Sequence, residues 1–136
     1  MKAEYADPYP NGLATIVGGL IESNLAREPE RRSLLRPARI GISAPDADVT
    51  ITITIDRRRV RIANGIAVRT LHLLVRADSA TLIDLSRAPL RFGFPDPLTA
   101  GGRRVLGELL RRRLRVEGQF RHPRRLARFA RLLSVN

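Results

Sequence analysis

The sequence has no cysteine and no tryptophan, and these absences narrow what the chain can be. Without cysteine there is no disulfide framework, no thiolate nucleophile and no zinc site built on sulfur. Aromatic residues make up only 4% of the 136 residues, so the core of this single domain must consist mostly of Leu, Ile, Val and Ala. No apolar run reaches the roughly 18 residues that span a membrane, and the N-terminus lacks the apolar region of a signal peptide. We therefore expect a cytoplasmic protein whose residues 1–136 form one domain, with residues 1–11 flexible.

Lysine is almost absent as well. Lys2 is the only lysine, and the other 24 of the 25 basic residues are arginine. The net charge of +12 is concentrated at the C-terminal end, where residues 100–136 carry 11 arginines against 2 acidic residues. A GC-rich genome would explain this use of arginine. A surface that binds phosphate would explain it too, because a guanidinium group makes bidentate phosphate contacts.

Residues with a catalytic signature are scarce. His72 has no acidic neighbour in sequence and is interpreted as a solvated or packed residue, and His122 precedes Pro123, where a capping or loop role fits. Asp46 and Asp48 could share a site, but they lie just before a predicted strand, where turn chemistry explains them. The chain has no P-loop, G-x-G-x-x-G, H-E-x-x-H or G-x-S-x-G motif. The sequence therefore predicts a binding protein that is not an enzyme and has no metal or cofactor.

Hydrophobic periodicity predicts an α+β fold. An apolar stripe at helical spacing follows Asn11, a plausible N-cap; within it, Gly18 and Gly19 indicate either flexibility or the close approach of a sheet or ligand. Alternation of period two then predicts strands at residues 39–44, 48–55, 60–62 and 67–77, the first at an edge of the sheet and the last with Leu71, Leu73 and Val75 on one face. Asn64-Gly65 is a type I′ turn signal. Helices, a strand and a final helix follow, so we expect about five mainly antiparallel strands with helices packed on one face.

The last part of the chain changes period within a few residues. Leu114 and Val116 alternate with Arg115 and Glu117, which predicts a strand. Pro123 then suits the first position of a helix. Apolar residues of that helix recur on one face, and its arginines lie largely on the other.

These elements resemble the sterol carrier protein 2 family (the SCP2 sterol-binding domain). The resemblance rests on a strand ending at 77–78 with a short helix after it, on the basic–apolar–Gly pattern of residues 113–118, and on the amphipathic last helix. The order of elements agrees across roughly residues 12–135, although segment 88–104 is longer than the family pattern. The resemblance implies a five-stranded sheet with helices on one side and, between them, an apolar tunnel for a lipid, a fatty acyl chain or a sterol. It implies no catalytic residues.

The predicted function is therefore that of a non-catalytic lipid, sterol or fatty-acyl carrier. The candidate pocket residues are Phe92, Phe94, Leu106, Leu110, Leu126, Phe129 and Leu133. The candidates for anionic headgroups or a membrane surface are Arg111, Arg112, Arg113, Arg124, Arg125 and Arg128. The same apolar stripes would also fill a closed core, the alternative that periodicity alone favours. A nucleic-acid-binding module, or a module for an acidic partner, is the alternative function suggested by the basic C-terminal quarter; no recognition-helix motif supports nucleic acid.

Overall fold

The computed structural model of the chain describes residues 3–57, 59–66, 71–78, 80, 90–91, 94–95, 114–118 and 121–134. Its elements in chain order are β1 (Glu4–Tyr5), α1 (Gly12–Arg27), a 3₁₀ helix (Pro29–Leu34), β2 (Ala38–Ala44), a second 3₁₀ helix (Pro45–Ala47), β3 (Val49–Ile55), β4 (Val60–Asn64), β5 (Leu73–Ala77), β6 (Leu90–Arg91), β7 (Phe94–Pro95), β8 (Leu114–Glu117) and α2 (Pro123–Leu133). The α+β class predicted from periodicity is confirmed.

Six strands among the described residues form one mixed sheet in the order β1-β4-β3-β2-β5-β8, and β6 pairs with β7 alone. The pairs β2–β3, β3–β4 and β5–β8 are antiparallel, whereas β1–β4 and β2–β5 are parallel. The expected sheet of about five strands is therefore present, with the two-residue β1 added at one edge. Our placement of β2 at an edge is wrong. It is a central strand bonded on both sides, and its residues Ile40, Gly41 and Ile42 are all buried.

Among the residues that the structure describes, no strand after the turn signal at Asn64-Gly65 pairs with β4 as the return strand of a hairpin. Gly65 has the positive φ of +82° that the signal predicts, and its N–H donates to the carbonyl oxygen of Thr50 at 2.8 Å. The next strand of the described chain, β5, pairs with β2 on the far side of β3. Local turn chemistry sets the backbone angle but does not select the partner of the following strand.

The hydrophobic core lies on one face of the sheet, under α1 and α2. Its fully buried apolar side chains are Ile21 and Leu25 of α1, Ile40, Ile42, Ile51, Ile53, Val60, Ile62 and Leu73 of the strands, and Leu132 of α2. Burying one such side chain contributes roughly 1.5–3 kcal/mol. The described helices therefore pack on one face, as predicted. None of those helices combines the length and apolar character that a membrane span requires.

The N-terminal segment is fastened to α1 and β4. Asn11 is the N-cap of α1, as predicted, because its side-chain oxygen accepts the N–H of Ala14 at 2.9 Å. A Cβ atom on Gly18 would collide with the hydroxyl of Tyr5 in β1, whereas one on Gly19 would meet nothing within 4 Å. Of the two explanations for these glycines, close approach therefore applies to Gly18. The flexibility of residues 1–11 stays a prediction.

The C-terminal end of α2 is held by polar side chains from far along the chain. Arg31 is only 6% exposed; its Nη1 donates to the carbonyl oxygens of Arg131 and Ser134 at 2.9 and 2.6 Å. Its Nε also donates to the Glu28 carboxylate at 2.6 Å. The Nδ2 of the buried Asn24 donates to the carbonyl oxygen of Leu132 at 2.8 Å. These donors satisfy carbonyls that have no partner within the helix, at the negative end of its dipole.

Candidate functional site

The second face of the sheet, opposite α1 and α2, carries an apolar cluster of its own. A Cβ atom on Gly41 would lie 2.8 Å from Cδ1 of Leu71, 3.0 Å from Cδ1 of Leu74 and 3.6 Å from Cδ1 of Ile66. The absence of a side chain at Gly41 therefore lets these three residues close over β2. Our expectation that Leu71 shares a face with Leu73 is wrong, because β5 begins only at Leu73 and the alternation does not extend back.

A cavity of about 580 Å³ lies on this second face, and we call it the Thr52 cavity. Its lining residues are Ala6, Thr52, Thr54, Arg61, Ala63, Asn64, Gly65 and Ile66. The hydroxyl of Thr52 donates to the carbonyl oxygen of Gly65 at 2.8 Å. This hydrogen bond joins β3 to the residue that follows β4, and both line the cavity. The lining is mainly apolar, and the volume is in the range of sites that bind small molecules.

A second cavity, of about 360 Å³, lies where β5 begins and β8 ends, and we call it the His72 cavity. Its lining residues are Leu71, His72, Leu73, Leu74, Glu117, Gly118, Arg121 and His122. The two histidine rings lie edge to face, with centroids 5.0 Å apart and an interplanar angle of 75°. Sequence reasoning treated the two histidines separately, and no signal in the sequence links them.

Gly118 brings the two histidines together. It has φ +89°, and a Cβ atom there would collide with the carbonyl oxygen of His72. Its own carbonyl oxygen accepts the N–H of His122 at 2.9 Å. One glycine thus holds the end of β8 against His72 and starts the turn that leads into α2.

Both rings are oriented by donors on neighbouring elements. The backbone N–H of Arg39 donates to Nδ1 of His72 at 2.9 Å, and Nη1 of Arg125 donates to Nδ1 of His122 at 2.8 Å. The direction of the second bond is fixed because a guanidinium group only donates. Desolvation lowers the pKa of His72, and the positive charges of Arg125, His122 and Arg39 lower it further. His72 is therefore neutral at pH 7.

Three of the predicted pocket residues lie in the hydrophobic core. Phe129 and Leu133 of α2 are 4% and 8% exposed, and Leu126 is half-buried against the same cluster. None of the three lines either cavity described above. Phe94 lies in β7, while Phe92, Leu106 and Leu110 lie outside the described residues. That these residues line one ligand pocket stays a prediction.

The predicted headgroup residues are divided in the same way. Arg111, Arg112 and Arg113 lie outside the described residues. Arg124 is exposed at the start of α2, and Arg125 and Arg128 are half-buried. Desolvation lowers the pKa of Arg128, and the charges of Arg125, Arg36 and Arg124 lower it further. We call the set Arg36, Arg124, Arg125 and Arg128 the arginine cluster.

No protein-family model and no curated protein matches this sequence. The fold, in contrast, is similar to that of a solved structure named "UbiJ-SCP2 Ubiquinone synthesis protein", with a TM-score of 0.58 and 18% identity over 93% of this chain and 95% of that chain. A conserved hypothetical protein from Thermus thermophilus, described as a possible sterol carrier protein, has a TM-score of 0.44 and 10% identity over 100% of this chain and 97% of that one. The likeness to the first structure confirms the architecture expected from the sequence: this chain has an SCP2-like fold.

Proposed function

We propose that this protein is a non-catalytic carrier that binds a lipid, a sterol or a fatty acyl chain. A fold hosts many functions, so the fold alone does not select the ligand. The observation that carries the proposal is the Thr52 cavity, a mainly apolar depression of about 580 Å³ that is open to solvent on the second face of an SCP2-like sheet. Such a hollow favours hydrocarbon because burial of apolar surface drives binding.

The chemistry of the cavity fits a hydrocarbon better than a polar ligand. β4 pairs with β3 along its length and with β1 at Arg61 and Ile62, and the backbone N–H of Asn64 donates to the carboxylate of Asp7. The hydroxyl of Thr52 donates to Gly65. The side-chain oxygen of Asn64 accepts the N–H of Asn11, and its Nδ2 donates to the carbonyl oxygen of Tyr9. Arg61 is the charged residue of the lining, and a carboxylate or phosphate on the ligand would bind there.

The sequence also predicted a pocket between the sheet and α2, lined by Leu126, Phe129 and Leu133 together with the residues of segment 92–110. Phe129 and Leu133 pack in the core, so within the described part of the chain a ligand that contacts them would compete with that packing. A ligand in the Thr52 cavity involves no such competition among the described residues. We therefore place the hydrocarbon in the Thr52 cavity and use α2 as the comparison in the test.

The arginine cluster gives the carrier a surface for docking. Each basic residue close to an anionic membrane contributes about 1 kcal/mol of attraction. The four members of the cluster would thus hold the protein at a bilayer rich in anionic lipid, where a carrier collects its ligand. We place this activity in the cytoplasm, as expected from the sequence.

The test is binding of a fluorescent fatty acid, together with mass spectrometry of lipids that co-purify with the protein. Two substitutions place a bulky ring in the Thr52 cavity, Ala63→Phe in β4 and Ala6→Phe in the segment that follows β1; the second is at an exposed position and carries little risk to folding. Each should lower the affinity at least about tenfold, which corresponds to roughly 1.4 kcal/mol. Leu126→Ala is the matched control and should change affinity less than either.

Two results would contradict this proposal. If the wild-type protein binds no probe and carries no lipid, it is not a carrier. If Leu126→Ala abolishes binding and both cavity-filling variants bind normally, the ligand lies under α2.

The alternative function is that the arginine cluster binds nucleic acid or an acidic protein. Nucleic-acid binding predicts an affinity for DNA or RNA whose logarithm falls linearly with the logarithm of salt concentration.

A further inference from the structure

The hydrogen bonds at the His72 cavity determine where each imidazole proton lies. Nδ1 of His72 accepts from a backbone N–H, and Nδ1 of His122 accepts from a guanidinium group. Neither of these donors can exchange roles with the ring. In the neutral form, each ring must therefore carry its proton on Nε2. The cavity is thus lined by two rings whose remaining polar atoms are donors.

The charged groups around the cavity favour an anion. The guanidinium of Arg125 in α2 donates to the ring of His122, the charge of Arg39 in β2 acts on the ring of His72, and Arg121 itself lines the cavity. Glu117 at the end of β8 is the one carboxylate of the lining among the described residues. Positive groups therefore outnumber negative ones, and α2 starts beside them with the positive end of its dipole. A metal cation would be disfavoured, because it needs the Nε2 lone pairs that the two protons occupy.

We propose that the His72 cavity binds a phosphate group, with Nε2–H of His72, Nε2–H of His122 and the guanidinium of Arg121 as its donors. A volume of about 360 Å³ leaves room for the group that carries the phosphate. The site is separate from the Thr52 cavity and shares no lining residue with it. The inference therefore does not depend on lipid carriage. The phosphate belongs either to a soluble phosphomonoester or to a phospholipid headgroup, and both present the same oxygens.

The first experiment follows the imidazole nitrogens of the full chain by ¹H–¹⁵N NMR during titration with inorganic phosphate at pH 7.5. Both Nε2 resonances should shift and saturate together, while sodium chloride at equal ionic strength should leave them in place. Phosphate shifts no larger than those with chloride would overturn the proposal. So would Zn²⁺ shifting both rings where phosphate does not.

Two matched pairs of variants test the assigned donors. His122→Asn places an amide only near the Nδ1 position, whereas His122→Gln reaches the Nε2 position with an N–H donor. Phosphate affinity should fall about tenfold in His122→Asn, the loss of one charge-assisted hydrogen bond, and recover most of this in His122→Gln. Arg121→Gln should lose at least as much, and Arg131→Gln, which removes the same charge from an exposed position on α2, should lose less than twofold. Equal effects in the two arginine variants would overturn the site.

The source of the phosphate is distinguished by two ligands. Glycerol 3-phosphate represents a soluble phosphomonoester, and phosphatidylglycerol vesicles represent a headgroup. If the vesicles bind and both His122→Asn and Arg121→Gln release them, the site takes a phospholipid. If only glycerol 3-phosphate and inorganic phosphate respond to these variants, the site takes a soluble phosphate. If no phosphate ligand responds to either variant, the site is not a phosphate site.

Discussion

Gly118 lies so close to His72 that any side chain at position 118 would collide with the carbonyl oxygen of His72. Its φ of +89° would also strain any other residue type. Gly118 is the last residue of the basic–apolar–Gly pattern on which the family resemblance rested. The structure therefore gives the glycine of this pattern a physical role. It allows the end of β8 to lie against the start of β5, and it begins the turn that leads into α2.

Gly118→Ala should lower the free energy of unfolding by at least about 2 kcal/mol, since a left-handed alanine costs roughly 1–2 kcal/mol before the collision is relieved. Urea denaturation measures this. Gly19→Ala is the control, because a Cβ atom there meets nothing within 4 Å and Gly19 lies inside α1. It should stabilise the protein by about 0.5–1 kcal/mol. Equal effects of the two substitutions would contradict the role of Gly118.

Arg31→Ala should destabilise the protein by about 2 kcal/mol or more, because carbonyl oxygens of Arg131 and Ser134 lose a charged donor in a buried setting. The neighbouring Arg32 is exposed, and Arg32→Ala should change the free energy of unfolding by less than about 0.5 kcal/mol. Both are measured by urea denaturation at pH 7. A loss that is the same for Arg31→Ala and Arg32→Ala would show that the end of α2 does not need this cap.

Acidification should destabilise the fold through His72. Its pKa in the folded protein lies below the ordinary histidine value of 6.5, so the unfolded chain binds a proton more readily. The contribution is complete above pH 6.5 and is lost as the pH falls through that value towards the folded pKa. The melting temperature should therefore fall between pH 7.5 and pH 5.5. In His72→Asn, which keeps an acceptor for Arg39 but does not titrate, the fall should be smaller. An unchanged slope would exclude His72 as its source.

Gly18→Ala should loosen the N-terminal strand, because the new methyl group must push aside the ring of Tyr5. The N–H of Ala6 donates to the carbonyl oxygen of Ile62 at 2.9 Å and reports on this attachment. Its hydrogen exchange should accelerate severalfold in Gly18→Ala and remain unchanged in Gly19→Ala. The exchange rates of residues 3–11 in the wild-type protein also test their predicted flexibility.

Local patterns predicted the elements that depend on local contacts. The Val and Ile alternation of residues 49–55 marked β3, Asn11 marked the start of α1, and Pro123 marked the start of α2. Each of these predictions depends on residues that are close to one another in the sequence. Sequence reasoning also recovered the overall class, because the number and order of apolar segments limit how helices can cover a sheet.

Features made by distant residues were beyond these patterns. The central position of β2 depends on β5 pairing parallel to it, which no property of residues 38–44 encodes alone. No sequence pattern predicted the capping role of Arg31, because the carbonyls that it caps lie 100 and 103 residues away. The contact of His72 with His122 likewise arises only when β8 pairs with β5.

The parallel pairing of β2 with β5 also has a consequence for biosynthesis. β2, β3 and β4 are consecutive and antiparallel, so they can pair with one another as soon as they leave the ribosome. Until Leu73–Ala77 is translated, the edge of β2 that will pair with β5 has unpaired backbone N–H and C=O groups. This exposed edge belongs to a strand that contains Ile40 and Ile42. Nascent chains that stop after β4 should therefore be the most prone to aggregation. Synthesis of β5 should reduce this tendency, because β5 covers the exposed edge of β2.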